Sequence, residues 1–156
     1  MLKLDESLMR RAIEIAADSR AHGNHPFGAL LADEERHILL EAENTVVTEN
    51  DCTGHAETNL MRKACKKFDR DTLAKCTIYT STEPCPMCVG AIFWANVGKV
   101  VFGLSAKRLC EIVGKESEEV FEISSKELFN KGKKKVEVIG PILENEAEKV
   151  HEGFWD

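Results

Sequence analysis

Two short stretches constrain this chain more than anything else in it: His55-Ala56-Glu57 and Pro84-Cys85-Pro86-Met87-Cys88. Between them they supply one imidazole, one carboxylate and two thiols, with the thiols three positions apart. A C-x-x-C alone reads as a redox pair or half of a metal knuckle, and an H-x-E alone is common by chance. Here each opens a predicted helix, and a helix and a strand separate the two. A fold that accepts both must account for two helix starts and four chemistry-bearing side chains together.

Size and composition narrow the setting. The 156 residues fit one domain, 1–156, with one core. No apolar run approaches the ~18–20 residues of a membrane helix. Met1 to Arg20 is charged and amphipathic, without the apolar core of an export signal, so the expected location is cytoplasmic, with no membrane partner. In that setting the six cysteines read as reduced thiols or metal ligands rather than disulfides. Cys65, Cys76 and Cys110 lie in apolar or mixed stretches and read as packing residues. The net charge of −6 opposes nucleic-acid binding, which needs clustered Lys and Arg. The basic runs Arg62-Lys63 with Lys66-Lys67, and Lys131 with Lys133-Lys134-Lys135, read as solvated faces.

The periodicity predicts the elements. Asp5 is the expected N-cap of a helix over 6–21, with Leu8, Met9, Ala12, Ile13 and Ala16 as its apolar stripe and Gly23 as its stop. Residues 27–32 and 37–42 form a predicted β-hairpin around Asp33-Glu34-Glu35-Arg36, followed by a loop over 44–54. A helix over 55–68, a connector over 69–74, a strand over 77–80 and a helix over 87–95 follow. Then come a strand over 99–102 ending at Gly103, and a short helix over 106–113. Residues 116–135 read as charged loops with one short helix, before a strand over 136–139 and a helix over 145–153. Strands alternating with helices after a hairpin predict a three-layer α/β/α domain.

The spacing carries a chemistry. Zinc accepts Cys and His in a tetrahedron, and catalytic sites keep one position for water. Cys85 and Cys88 at a helix start project to one side, and the helix dipole favours their thiolates. Pro84 and Pro86 stiffen the turn, and His55 reaches the same metal from another helix start. That makes three protein ligands and frees Glu57 to move protons to and from the metal's water. Three other readings stay open. A structural zinc site needs a fourth ligand from Cys52, His22, His25 or Cys110, none at finger spacing. Glu57 complements a helix N-terminus on its own account. A redox pair at Cys85 and Cys88 leaves His55 and Glu57 unexplained.

With those residues in view, the chain resembles the cytidine-deaminase-like superfamily of zinc hydrolases, whose H-x-E…P-C-x-x-C signature it carries. The resemblance runs from Pro26 to Gly103. It is nearest to the branch of bacterial guanine deaminases and tRNA adenosine deaminases, through Pro26-Phe27-Gly28-Ala29, Asn44, Thr53 to Glu57, Glu83 to Cys88 with Gly90-Ala91, and Phe93-Trp94-Ala95. It implies a five-stranded mixed sheet sandwiched by helices, with Zn2+ held by His55, Cys85 and Cys88 between two helix N-termini and Glu57 as the catalytic proton shuttle. It also implies base contacts from Asn44 and the Ala56 N–H, pocket aromatics at Phe27 and Trp94 with core packing as their other reading, and a homodimer. Trp155 and Asp156 resemble the tail of fungal cytosine deaminases, and an aromatic tail also suits a guanine-type pocket. Guanine therefore stands first as substrate, within a class of free bases and nucleosides. tRNA adenosine and cytosine are the alternatives, and a zinc-stabilised binding module is the non-enzyme reading. Residues 104–135 depart from the guanine deaminase pattern, and Asn59 has no assigned role.

Overall fold

The computed structural model describes residues 3–156; Met1 and Leu2, the start of the charged N-terminal segment, lie outside it. The chain opens with α1 (Lys3–Ala21) and the hairpin β1 (Gly28–Ala32) and β2 (Ile38–Glu43). Next come α2 (Ala56–Lys67), α3 (Arg70–Ala74), β3 (Thr77–Thr82), α4 (Pro86–Ala95) and β4 (Lys99–Leu104). It closes with α5 (Ala106–Val113), α6 (Ser125–Asn130), β5 (Glu137–Ile139) and α7 (Glu144–Lys149). Among these residues no helix is long and apolar enough to cross a membrane.

The strands form one five-stranded sheet in the order β2-β1-β3-β4-β5. β1 is antiparallel to both β2 and β3, whereas β3, β4 and β5 run parallel, so the sheet is mixed. Consecutive residues of its inner strands point to opposite faces. Ala29, Leu31, Ile78 and Val100 pack with Leu60 and Ala64 of α2 and Ile92 of α4. Their neighbours Leu30, Ala32, Tyr79 and Val101 pack with Leu8, Met9, Ala12 and Ile15 of α1. Burial on both faces explains why these strands read as continuous apolar runs rather than alternating ones. At ~25 cal/mol per Å2 of apolar surface, covering both faces is the main drive toward this three-layer α/β/α arrangement.

Helix α1 lies against β1 so closely that a Cβ at Gly28 would come within 2.5 Å of the Ala16 nitrogen and 2.6 Å of the Ala12 oxygen. Gly28 therefore fixes how near the first helix stands to the sheet. Gly103, expected to end a strand, instead lies inside β4. A Cβ there would meet the Ser81 oxygen at 2.8 Å and the Ala147 Cβ at 3.0 Å, so the glycine admits α7 against the sheet.

Several expectations need correction. Asp5 is not the N-cap of α1, which begins by Lys3. It is buried inside the helix, where its carboxylate accepts from the Tyr79 hydroxyl and from Arg36 Nε at 3.1 Å. A buried charge is retained here because both donors reach it. The connector after α2 contains α3, capped by Asp69, whose side chain accepts from the Thr72 N–H. Cys76 and Cys110 are buried as expected, but Cys65 is exposed, on the outer side of α2.

Candidate active site

The two motifs meet where α2 and α4 begin, on one side of the sheet. His55 is the N-cap residue of α2 and Cys85 that of α4, both with extended backbone. An ordinary cap spends its side chain on the helix's free N–H groups. Neither His55 nor Cys85 does so, which leaves the imidazole and the thiol free to face each other. Cys88 follows in the first turn of α4, fully buried. Pro86 starts that helix without losing a hydrogen bond, since the first N–H groups have no partner within it.

His55 Nδ1 lies 3.6 Å from Cys85 Sγ and 3.5 Å from Cys88 Sγ. A tetrahedral zinc with bonds of about 2.3 Å to sulfur and about 2.0 Å to nitrogen separates such atoms by about 3.5 Å. The donor spacing thus matches the ion that the donor set favours, two thiolates and an imidazole. Among the described residues no fourth His, Cys, Asp or Glu donor joins this group. His25, Cys52 and Cys110 line the same cavity without reaching it, and His22 instead pairs with Glu43. The structural-zinc reading therefore lacks its fourth ligand.

Electrostatics sharpen the group. The hydrogen bond from Cys88, with His55 adding to it, holds the Cys85 thiol down to about 4, while sharing that hydrogen bond and burial push Cys88 well up. Burial pushes the Glu57 carboxyl up to about 7, the largest influence upon it. Glu57, two residues after His55 and at the second position of α2, is buried but lines the same cavity as His55 and Cys85.

That cavity has a volume of about 510 Å3, within the range of small-molecule sites. Its walls come from both ends of the chain. Phe27, Val46 and Trp155 form one side, and α5 contributes Leu109, Cys110 and Val113 to another. Residues 118–121, Glu-Glu-Val-Phe, line it as well, with Phe121 72 % exposed. Its ionisable lining groups include Glu57, Glu83, Glu118 and Glu119, and no Lys or Arg is among the lining residues.

The expected contact residues divide. Phe27 and Trp155 line the cavity. Ala56 is buried at the first position of α2, beside His55. Asn44 is buried next to the cavity wall, its side-chain oxygen accepting from the Val46 N–H at 3.0 Å. Trp94 does not line the cavity: it is 75 % exposed and packs edge-on against Phe93. The core face of α4 carries Cys88, Ile92 and Ala95, and position 94 falls opposite that stripe. Asp156 is exposed and also lies outside the lining set.

Other supporting residues were silent in the sequence. Asn59 donates to the Glu43 carbonyl at 3.0 Å and to Thr45 Oγ1 at 2.9 Å, tying the 44–54 loop to α2. His151, buried, accepts at Nδ1 from the Trp155 indole N–H at 3.0 Å and stacks on that ring. This bond fixes the tautomer with the proton on Nε2, and burial holds the imidazole down to about 4. Only the i, i+4 spacing of His151 and Trp155 hinted at the pair.

Comparison with known proteins agrees with this geometry. Residues 2–104 match the family described as the cytidine and deoxycytidylate deaminase zinc-binding region. A probable cytosine deaminase of Schizosaccharomyces pombe is 40 % identical over 153 residues, covering 97 % of this chain and 93 % of that protein. The guanine deaminase of Bacillus subtilis is 45 % identical over 98 residues, 62 % of each chain. A solved structure from a study of tRNA:A34 deaminases superimposes with a TM-score of 0.74 at 22 % identity, over 93 % of this chain and 99 % of that one, and shares the fold. The chain is a hydrolytic, zinc-dependent deaminase-family enzyme, and it belongs to the cytidine and deoxycytidylate deaminase zinc-binding family.

Proposed function

We propose that this protein deaminates a free nucleobase, with His55, Cys85 and Cys88 holding zinc and Glu57 moving the protons. The observation that carries the reading is the shared cavity: two of the three grouped donors, His55 and Cys85, and the buried Glu57 carboxyl line the same space, with Cys88 buried beside them. Bound there, zinc supplies Lewis-acid activation of water. Glu57 takes a proton from that water and passes it to the ring nitrogen beside the amine-bearing carbon. Oxygen bonds to that carbon. Glu57 then takes the remaining proton from the added oxygen and gives it to the amine; the C–N bond breaks, ammonia leaves, and a ring carbonyl remains. A carboxyl whose pKa is raised toward neutrality is suited to both taking and giving a proton.

The lining charges favour an uncharged ring over a phosphorylated substrate. The exposed carboxylates Glu118 and Glu119, with no Lys or Arg among the lining residues, repel the backbone of RNA, and the chain's charge of −6 does the same at longer range. Between bases, the S. pombe likeness spans 97 % of the chain and so takes in residues 104–135, whereas the B. subtilis likeness spans 62 % of it. Cytosine is accordingly the first substrate to test, with guanine, which the motifs up to Gly103 favoured, as the second. Phe27 and Trp155 stack on the ring in this reading. Trp94, exposed at 75 %, is the apolar surface by which two copies form a homodimer, and Trp94→Glu tests that by sedimentation.

The test is ammonia release by the zinc-loaded protein from cytosine, guanine, adenine, cytidine, guanosine and an anticodon-stem RNA. A free base is expected to turn over with a KM that barely moves with salt. Turnover of the RNA alone, falling steeply with salt, contradicts the proposal.

A further inference from the structure

Glu83 directly follows β3 and stands two residues before Cys85, yet its carboxylate is not part of the metal-donor group. Its backbone N–H donates to the Leu104 carbonyl at 2.7 Å, which locks it to the end of β4. One carboxylate oxygen accepts from the Ala106 N–H at 2.9 Å, the first residue of α5. The other accepts from the Ser125 N–H at 2.8 Å and from its hydroxyl at 2.6 Å, at the first residue of α6. Ser125 is fully buried.

A single side chain thus clamps the starts of two helices far apart in sequence. Between those points lies the wall of the cavity. Leu109 and Val113 of α5 line it, as do residues 118–121 in a stretch, 114–124, with neither helix nor strand. That stretch has little backbone hydrogen bonding of its own to set its distance from the donor group. The Glu83 carboxylate provides such a reference, because its backbone is continuous with Pro84 and Cys85.

We propose that Glu83 is a positioning residue: it holds the 105–125 wall in register with the metal ligands and so sets how tightly a ring is held over them. The inference rests on the deaminase reading of the cavity and goes beyond it by assigning the wall's placement to one side chain. Hydrogen bonds to a charged acceptor are among the stronger ones, and removing all three frees a wall rather than one contact. Misplacement of a binding wall acts first on substrate capture.

The test compares zinc-loaded wild type, Glu83→Ala, Glu83→Gln and Ser125→Ala by zinc content, steady-state kinetics and amide exchange. Glu83→Ala is expected to keep its zinc, raise KM roughly tenfold and lower kcat less than threefold, with faster exchange at 106–124. Glu83→Gln, which keeps an acceptor oxygen, should recover part of the KM, and Ser125→Ala should raise it by a few-fold. An unchanged KM in Glu83→Ala overturns the proposal, as does unaltered exchange at 106–124. Loss of zinc in a folded Glu83→Ala overturns it too, since the carboxylate would then serve the Cys85 turn instead. Should Glu83→Ala not fold, Ser125→Ala decides between the same outcomes. A wild type that turns over no ring defeats the deaminase reading alone, and the exchange measurement still judges the clamp.

Discussion

The chain up to Leu104 and the chain beyond it are built on different terms. The first part holds the metal donors and Glu57 at helix starts that pack on the sheet, and most of its elements are buried on at least one face. The second part holds α5, α6, β5 and α7, all short, joined by charged stretches that include the exposed Phe121. The family likeness follows the same line, since the matched region ends at residue 104. The difference teaches a division of labour. Chemistry needs donors fixed to a fraction of an ångström, which a packed sheet and two helix N-termini provide. Choice of ring needs walls that can vary, which loops and short helices provide.

Four experiments probe that division. The largest effect belongs to the metal. Cys88→Ala, or removal of zinc by a chelator, should abolish turnover and lower the thermal midpoint by several degrees, because an ion that binds only the folded chain stabilises it. Full activity in zinc-free protein would erase the distinction between the two parts. Next, Glu57→Gln should retain zinc and lose about 1,000-fold or more in kcat, measured as ammonia release. A kcat within threefold of wild type would remove Glu57 from the chemistry.

The third effect lies in the second part and is one of stability. Burial lowers the His151 imidazole to about 4 in the folded protein, against about 6.5 when unfolded, with Arg20 as the second influence in the same direction. The unfolded chain therefore binds more protons between those values. Stability is complete above about pH 6.5 and falls as pH drops toward 4, by up to about 3 kcal/mol from this group. His25, lowered first by burial and then by His55, adds to the same loss. Urea melts of His151→Gln should show a shallower decline across that window; an identical decline would mean that the tail histidine is not the titrating group. The smallest effects are on the walls. Trp155→Ala should raise KM roughly tenfold and Phe121→Ala a few-fold, with zinc content unchanged. If either lowers kcat a hundredfold instead, chemistry extends past residue 104.

The same division explains what could be read from residues alone. The donor trio and Glu57 were legible because short-range spacing at helix starts constrains side chains without knowledge of the rest. The sheet was legible because its buried strands are plain apolar runs, such as Gly28–Ala32 and Val100–Val101. What was hidden depends on long-range contacts. Asp5 looked like a cap until Tyr79 and Arg36 were brought to it across the sheet. Trp94 looked like a pocket aromatic because its neighbours match the motif, yet its helical position points it outward. Glu83 and His151 act on partners that no local pattern links to them, Ala106 and Ser125 in one case and a cavity aromatic in the other.

The central claim is that water, activated beside Glu57, replaces an amine on a ring. Turnover of cytosine and guanine by the zinc-loaded protein in heavy-oxygen water tests it directly, with product read by mass spectrometry and ammonia counted alongside. One heavy oxygen in each product ring, and one ammonia released with it, is the expected result. Zinc-loaded protein that releases no ammonia from any base, nucleoside or RNA, or a product whose new oxygen does not come from water, would contradict it.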